Sequence, residues 1–169
     1  MNFDEAFKTV IGHEGGFTQN QKDAGNWTGG KVGVGLNKGT KYGIAANTYP
    51  NEDIKNLTLE RAKFLYKRDF WDKAKCDQLP NGIRFHVFDV SVNSGVSRGV
   101  KTLQQALGVN ADGIIGPQTI NAAKSANPDA LLNKFYSFRI VFYTSLSSFS
   151  TFGRGWMNRV AENLKIGTR

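Results

Sequence analysis

Cysteine is nearly missing from this sequence: Cys76 stands alone, so no intrachain disulfide can form, and folding in a reducing compartment is expected. Histidine is almost as scarce. With only His13 and His86, and no cysteine cluster beside them, neither a metal site nor another cofactor is predicted. No stretch approaches the roughly 18 uninterrupted apolar residues of a membrane span. Met1 leads directly into Asn2-Phe3-Asp4-Glu5, with neither a basic start nor an apolar run, so no signal peptide is predicted and cytoplasmic synthesis is the expectation. A dense basic block is lacking too. The 22 basic and 14 acidic side chains leave a formal charge of +8, but Lys67-Arg68, Lys73, Lys75, Arg154 and Arg159 are scattered. This pattern favours general attraction to anionic polymers or membrane surfaces over a nucleic-acid site.

What is present reads as one folded globule: 169 residues, 40% of them apolar and 12% aromatic. Phe3, Phe7, Val10 and Ile11 recur at helical spacing after Asn2, with Glu5 completing a capping box, and Gly15-Gly16 then stop the helix. The segment from Phe17 to Tyr42 is glycine-rich. Alternation in Lys31-Val32-Gly33-Val34-Gly35-Leu36 predicts a β-hairpin or small sheet, with Trp27, Val32, Val34, Leu36 and Tyr42 as its packing residues.

Helical periodicity follows. Leu59, Ala62, Leu65 and Tyr66 line one face behind a Thr58 cap, and Ile83, Val87, Val90 and Val92 mark a helix closing near Gly95. Ser97 is positioned to cap a helix that carries Val100, Leu103 and Leu107. Pro117 and Pro128, the latter behind Asn127, suit first helical positions. The helix from Pro128 is apolar nearly all round and is placed in the core. Trp156, Val160 and Leu164 mark a last helix. The predicted class is α+β, mainly α, with a small β-lobe near the N-terminus and a helical body after it.

Glu14 is the residue that asks for a reason. It follows a helix, where the macrodipole disfavours a carboxylate and raises its pKa, and the neighbouring Phe17 adds apolar surroundings. A carboxylic acid held protonated near neutral pH is suited to protonating a leaving oxygen. Asp23 is the next acidic residue, with eight residues between it and Glu14. It reads either as an ionised carboxylate that orients water and stabilises positive charge, or as a turn former in a glycine-rich loop. His13 reads as a solvated histidine, Cys76 as a packing thiol, and Asp112-Gly113 as a turn. Asp89 and Asn93 share a helical face, open either to hydrogen bonding with a ligand's hydroxyls or to bonding within the helix end.

The run from Glu14-Gly15-Gly16-Phe17 to Gly39-Thr40-Lys41-Tyr42-Gly43-Ile44 resembles glycoside hydrolase family 108, lysozymes common in phages and prophages. That resemblance implies a lysozyme-like fold with Glu14 as catalytic acid. The family's aspartate turn falls on Asp23, and its threonine element on Thr40 and Tyr42. Sixteen residues, 24–39, separate Asp23 from Thr40 where the family has only a few, so this segment reads as an insertion forming a longer hairpin over a cleft. Further on, Phe88-Asp89, Asn93-Ser94-Gly95, Leu103-Gln104-Gln105-Ala106-Leu107 and Asp112-Gly113-Ile114-Ile115-Gly116-Pro117-Gln118-Thr119 resemble the family's peptidoglycan-binding half, and Arg139, Tyr143, Trp156 and Arg159 fit its final helices.

The implied organisation is a single lysozyme-like domain over 1–169, with the catalytic helix and β-lobe in about 1–80 and the peptidoglycan-binding-like region in about 81–169. The implied activity is that of an N-acetylmuramidase acting on bacterial peptidoglycan during host-cell lysis. Glu14, Asp23 and Thr40 would be catalytic, and Trp27, Tyr42 and Asn93 would contact substrate. A lytic transglycosylase and a non-catalytic wall-binding protein are the alternatives. The resemblance further implies a monomer that waits in the host cytoplasm for holin-type release, without inserting stably in the membrane.

Overall fold

The computed structural model describes residues 1–12 and 16–168. Two compact units form, one of residues 7–67 and one of residues 1–6 together with 68–169. Helix α1 (Phe3–Ile11) opens the chain. Its start is closed by the expected reciprocal pair: the Glu5 amide donates to Asn2 Oδ1 at 3.0 Å, and the Asn2 amide donates to Glu5 Oε2 at 2.9 Å.

In the unit of residues 7–67, the strands are very short. β1 (Thr40–Lys41) and β2 (Ile44–Ala45) pair antiparallel, with Thr40 opposite Ala45 and Lys41 opposite Ile44. Tyr42 (φ 51°) and Gly43 (φ 72°) make the tight turn between them, both left-handed, as a two-residue hairpin whose twist matches its strands requires. A side chain at position 43 would also strike the Tyr66 hydroxyl. Helix α2 (Leu59–Tyr66) is capped by Thr58, whose hydroxyl accepts from the Arg61 amide at 3.1 Å. Ala62, Leu65 and Tyr66 on its inner face are buried, as are Ile44, Ala46, Ile54 and Leu57 of the same unit. Phe7 meets the Tyr66 ring edge-on at 5.4 Å.

The Lys31–Leu36 expectation needs correcting. This stretch is turns, not strand. Gly33 and Gly35 take φ of 79° and 78°, which interrupts any extended run, and the Val34 amide closes a turn onto the Lys31 carbonyl at 3.0 Å. Val32, Val34 and Leu36 stay 54%, 48% and 66% exposed, so they do not pack the lobe. Only the ends of the loop return as a hairpin: Trp27 bridges Asn37, and the Thr28 amide donates to the Leu36 carbonyl at 2.9 Å.

The other unit is helical. A π-helical turn (Lys67–Trp71) leads to a 3-10 turn (Cys76–Gln78), then α3 (Asn81–Ser94), α4 (Val96–Leu107), α5 (Pro117–Ser125), α6 (Pro128–Thr144) and α7 (Phe149–Ile166). Helix α3 is central, with every residue from Phe85 to Ser91 buried. Phe3, Trp71 and Phe88 form a triangle of edge-to-face rings 5.4–6.0 Å apart. Gly99 lets α4 close on α3, because a Cβ there would sit 2.8 Å from the Val87 carbonyl.

Two local expectations change. The N-cap of α4 is Gly95, not Ser97. Helix α6 is not buried all round, for Phe138 and Val141 are 39% and 62% exposed while Arg139 is wholly buried. Asn127 does cap α6, accepting from the Ala130 amide at 3.0 Å. The architecture is mainly α with a two-stranded sheet, the expected α+β class.

Candidate functional site

Glu14 and His13 lie outside the described residues. The lobe that follows them in sequence is built on Asn26, a residue sequence reasoning passed over. Its side chain is wholly buried. Asn26 Nδ2 donates to the Asn20 carbonyl at 3.0 Å, and Oδ1 accepts from Thr40 Oγ1 at 2.7 Å. Its own carbonyl accepts from the Lys38 and Gly39 amides at 2.9 and 3.1 Å. One buried amide therefore joins the Asn20 turn, the end of the 24–39 segment and β1. Nothing in Gly-Asn-Trp distinguishes such an asparagine from an ordinary turn residue, since Lys38, Gly39 and Thr40 lie more than ten positions away and Asn20 sits in irregular backbone.

The structure brings Asp23, Trp27 and Thr40 into this frame. Asp23 caps the 3-10 turn Ala24–Asn26, its Oδ1 accepting from the Gly25 amide at 2.9 Å, while its carbonyl accepts from the Asn26 amide at 3.1 Å. The turn-former reading thus describes one oxygen of an exposed carboxylate, and the other has no partner among the described residues. Thr40 is held in register by a reciprocal bridge to Thr18 at 2.8 and 2.9 Å. Because its hydroxyl hydrogen is committed to Asn26, Thr40 Oγ1 presents lone pairs and can accept a hydrogen bond from a further donor such as water. Trp27 is half-buried and donates through Nε1 to the Gln21 carbonyl at 3.0 Å, leaving the ring as part of the lobe surface.

Tyr42 faces a different part of the same unit. It lines an open cavity of about 580 Å³ together with Phe7, Lys8, Thr9, Ile11, Gly12 and Leu59. The Tyr66 hydroxyl donates to the Tyr42 carbonyl at 3.2 Å and fixes that turn. The last α1 residue of this cavity, Ile11, lies three positions before Glu14 in the sequence. A sequence signal for the cavity does exist: Leu59 is an apolar residue at the first position of a helix, and it remains 46% exposed.

In the helical unit, Asn93 is exposed near the end of α3, as a ligand-contacting residue would have to be. Its partner in the sequence reading, Asp89, is not available to a ligand. It is buried and ion-paired, with Oδ2 accepting from Arg139 at 2.6 Å and Oδ1 from Arg159 Nε at 2.9 Å. Burial opposes the charge on Arg139, but the Asp89 carboxylate outweighs it and raises the guanidinium's pKa. His86 is equally internal. Its Nε2 lies 2.9 Å from the Gly167 carbonyl, which can only accept, so Nε2 carries the hydrogen and Nδ1 accepts from the Tyr136 hydroxyl at 2.7 Å. Burial pushes its pKa down to about 4. Cys76 is a packing thiol, buried, with its pKa pushed up chiefly by desolvation and further by Asp77, against the opposing charge of Arg84. Asp112-Gly113 is the expected turn, locked by Gln104, whose Oε1 accepts from the Gly113 amide at 2.8 Å. No group of three or more His, Cys, Asp or Glu side chains converges as a metal site among the described residues.

Comparison with known proteins gives these features a family. Residues 7–95 match the family described as Glycosyl hydrolase 108, and residues 98–161 match one described as Predicted Peptidoglycan domain. No curated protein matches the chain. Among solved structures it is similar to SagA of Brucella abortus, at 32% identity and a TM-score of 0.80, over 95% of this chain and 90% of that one. The fold is accordingly lysozyme-like. The match takes in the second half of α1, the Asn26 lobe, α2 and α3, more than half of the chain, so the chain belongs to glycosyl hydrolase family 108 and is a peptidoglycan hydrolase.

Proposed function

We propose that the protein is an N-acetylmuramidase that hydrolyses the β-1,4 bond between N-acetylmuramic acid and N-acetylglucosamine, and that it serves host-cell lysis. Glu14 gives its proton to the glycosidic oxygen. The C1–O bond breaks with its electron pair passing to that oxygen, and positive charge develops on the muramic ring. Water held against Thr40 Oγ1 adds to C1, and Asp23 takes the proton it releases. Trp27, Tyr42 and Asn93 contact the glycan.

The observation that carries this reading is the buried Asn26 frame. Asn26 Oδ1 accepts from the Thr40 hydroxyl at 2.7 Å, which leaves the Thr40 Oγ1 lone pairs to accept from water, and the same small lobe carries the Asp23 turn. An enzyme forming a 1,6-anhydro product needs no such water-orienting pair.

The test is digestion of purified cell walls by wild type and Glu14→Gln, with product ends identified. The variant is expected to lose at least about a hundredfold in rate, the scale of a general acid's contribution. Wild-type products should carry a free reducing muramic end. Activity of Glu14→Gln within about tenfold of wild type would remove Glu14 from the role. A 1,6-anhydro end would replace hydrolysis by transglycosylation.

A further inference from the structure

The cavity between α1, Tyr42 and α2 has a lining that a bare sugar does not call for. Phe7 and Ile11 supply an apolar side from α1, and Leu59 supplies another from α2. Among the described residues the polar contributors are Lys8, Thr9 and Tyr42. A pyranose ring presents hydroxyls around its whole rim and is normally met by a dense set of donors and acceptors. Here most of the surface that the described residues contribute can offer only dispersion contact and dehydration. A ligand matching it carries small apolar groups along most of its length and one anionic group.

The charge is specific. Lys41 passes over the Tyr42 ring, but its ammonium is committed to the Lys55 carbonyl at 3.1 Å. Lys8 is the cation that lines the cavity, and it has no carboxylate partner among the described residues. The walls are preformed. Tyr42 is fixed by its left-handed backbone and by the bond from Tyr66, and Leu59 by the capped start of α2. The cavity volume of about 580 Å³ suits a short peptide.

We propose that this cavity is a subsite for the peptide stem of peptidoglycan, with the lactyl and alanyl methyl groups against Phe7, Ile11 and Leu59 and a stem carboxylate on Lys8. The inference rests on the muramidase reading for its substrate. It makes the enzyme selective for muramic acid that bears a peptide over the same glycan without one.

The probe is N-acetylmuramoyl-L-alanyl-D-glutamate, titrated into the whole protein while the Leu59 methyl resonances are followed, with N-acetylglucosamine, which has neither a lactyl methyl nor a carboxylate, as the control. The peptide-bearing compound should shift them saturably, and the control should not. Lys8→Gln should weaken binding about threefold to fivefold, as loss of one exposed ion pair does, and Lys8→Arg should restore it. Leu59→Trp, at an exposed position where folding is retained, fills the cavity. It should lower the ratio of kcat/KM on stem-bearing walls to that on amidase-stripped walls by about tenfold. Equal shifts from both compounds, or an unchanged ratio in Leu59→Trp, would overturn the subsite. Stem binding does not need turnover, so a protein that binds the probe but hydrolyses no glycan would lose the muramidase reading and keep the pocket. Hydrolysis without Leu59 shifts would do the reverse.

Discussion

Acid should loosen the helical unit through His86, and the size of the effect follows from the site. The imidazole is buried, donates to the Gly167 carbonyl and accepts from Tyr136; Asp89 favours its charged form, but burial and Arg139 oppose it. Its folded pKa of about 4 lies below the 6.5 of a free histidine. Between these two values the unfolded chain binds a proton that the folded chain does not, so stability rises with pH there. The contribution is fully present above pH 6.5, falls as the pH drops through the interval, and levels off below about 4. At about 1.4 kcal/mol per pH unit the interval amounts to about 3 kcal/mol. Urea unfolding of wild type and His86→Gln at several pH values from 7.5 to 4 isolates the effect, because the other titrating groups are common to both. At pH 7.5 the variant should be less stable by about 1–2 kcal/mol for its disturbed buried hydrogen bonds. The gap should then shrink and reverse toward pH 4. A difference that does not change with pH, or a His86 resonance titrating near 6.5, would refute the reasoning.

Three further outcomes are expected. Asp89→Asn should cost about 3–5 kcal/mol in urea unfolding, since it leaves Arg139 buried at 0% exposure without its counter-charge; a loss below about 1 kcal/mol would show that the pair is not carrying the guanidinium. Gly99→Ala should cost about 1–3 kcal/mol by forcing α4 off the Val87 carbonyl, and a thermal midpoint equal to wild type would contradict that close approach. Asn26→Ala should destabilise by about 1–3 kcal/mol, because the Asn20 carbonyl and the Thr40 hydroxyl lose buried partners. It should also slow wall digestion more than about tenfold at temperatures where it remains folded; normal digestion would separate Thr40's orientation from catalysis.

Local signals in the sequence were reliable where their chemistry closes within a few residues. Asn2 with Glu5, Thr58 with Arg61, and Asn127 with Ala130 each satisfy helix-end amides three positions away, so the caps were legible. Alternation in Lys31–Leu36 misled because glycine at every second position permits left-handed turns as readily as extended backbone. Helix α6 misled for another reason: aromatic content says little about which side faces inward when an arginine on the buried side has an acidic partner fifty residues away.

The candidate site divides in the same way. Glu14 beside Gly15-Gly16, with Asp23 and Thr40 following in order, is a pattern in one dimension, and the family membership it indicated is supported by the comparisons. The sequence by itself determined the capped starts of α1, α2 and α6, the α+β class and the family, because these depend on residue type at short spacing. Tertiary structure decided that Asn26 organises the lobe, that Asp89 serves Arg139 and not a ligand, and that Lys8, Tyr42 and Leu59 border one cavity. Each of those facts depends on which distant groups exclude water together, and a buried polar or charged side chain takes its role from the partner it finds there.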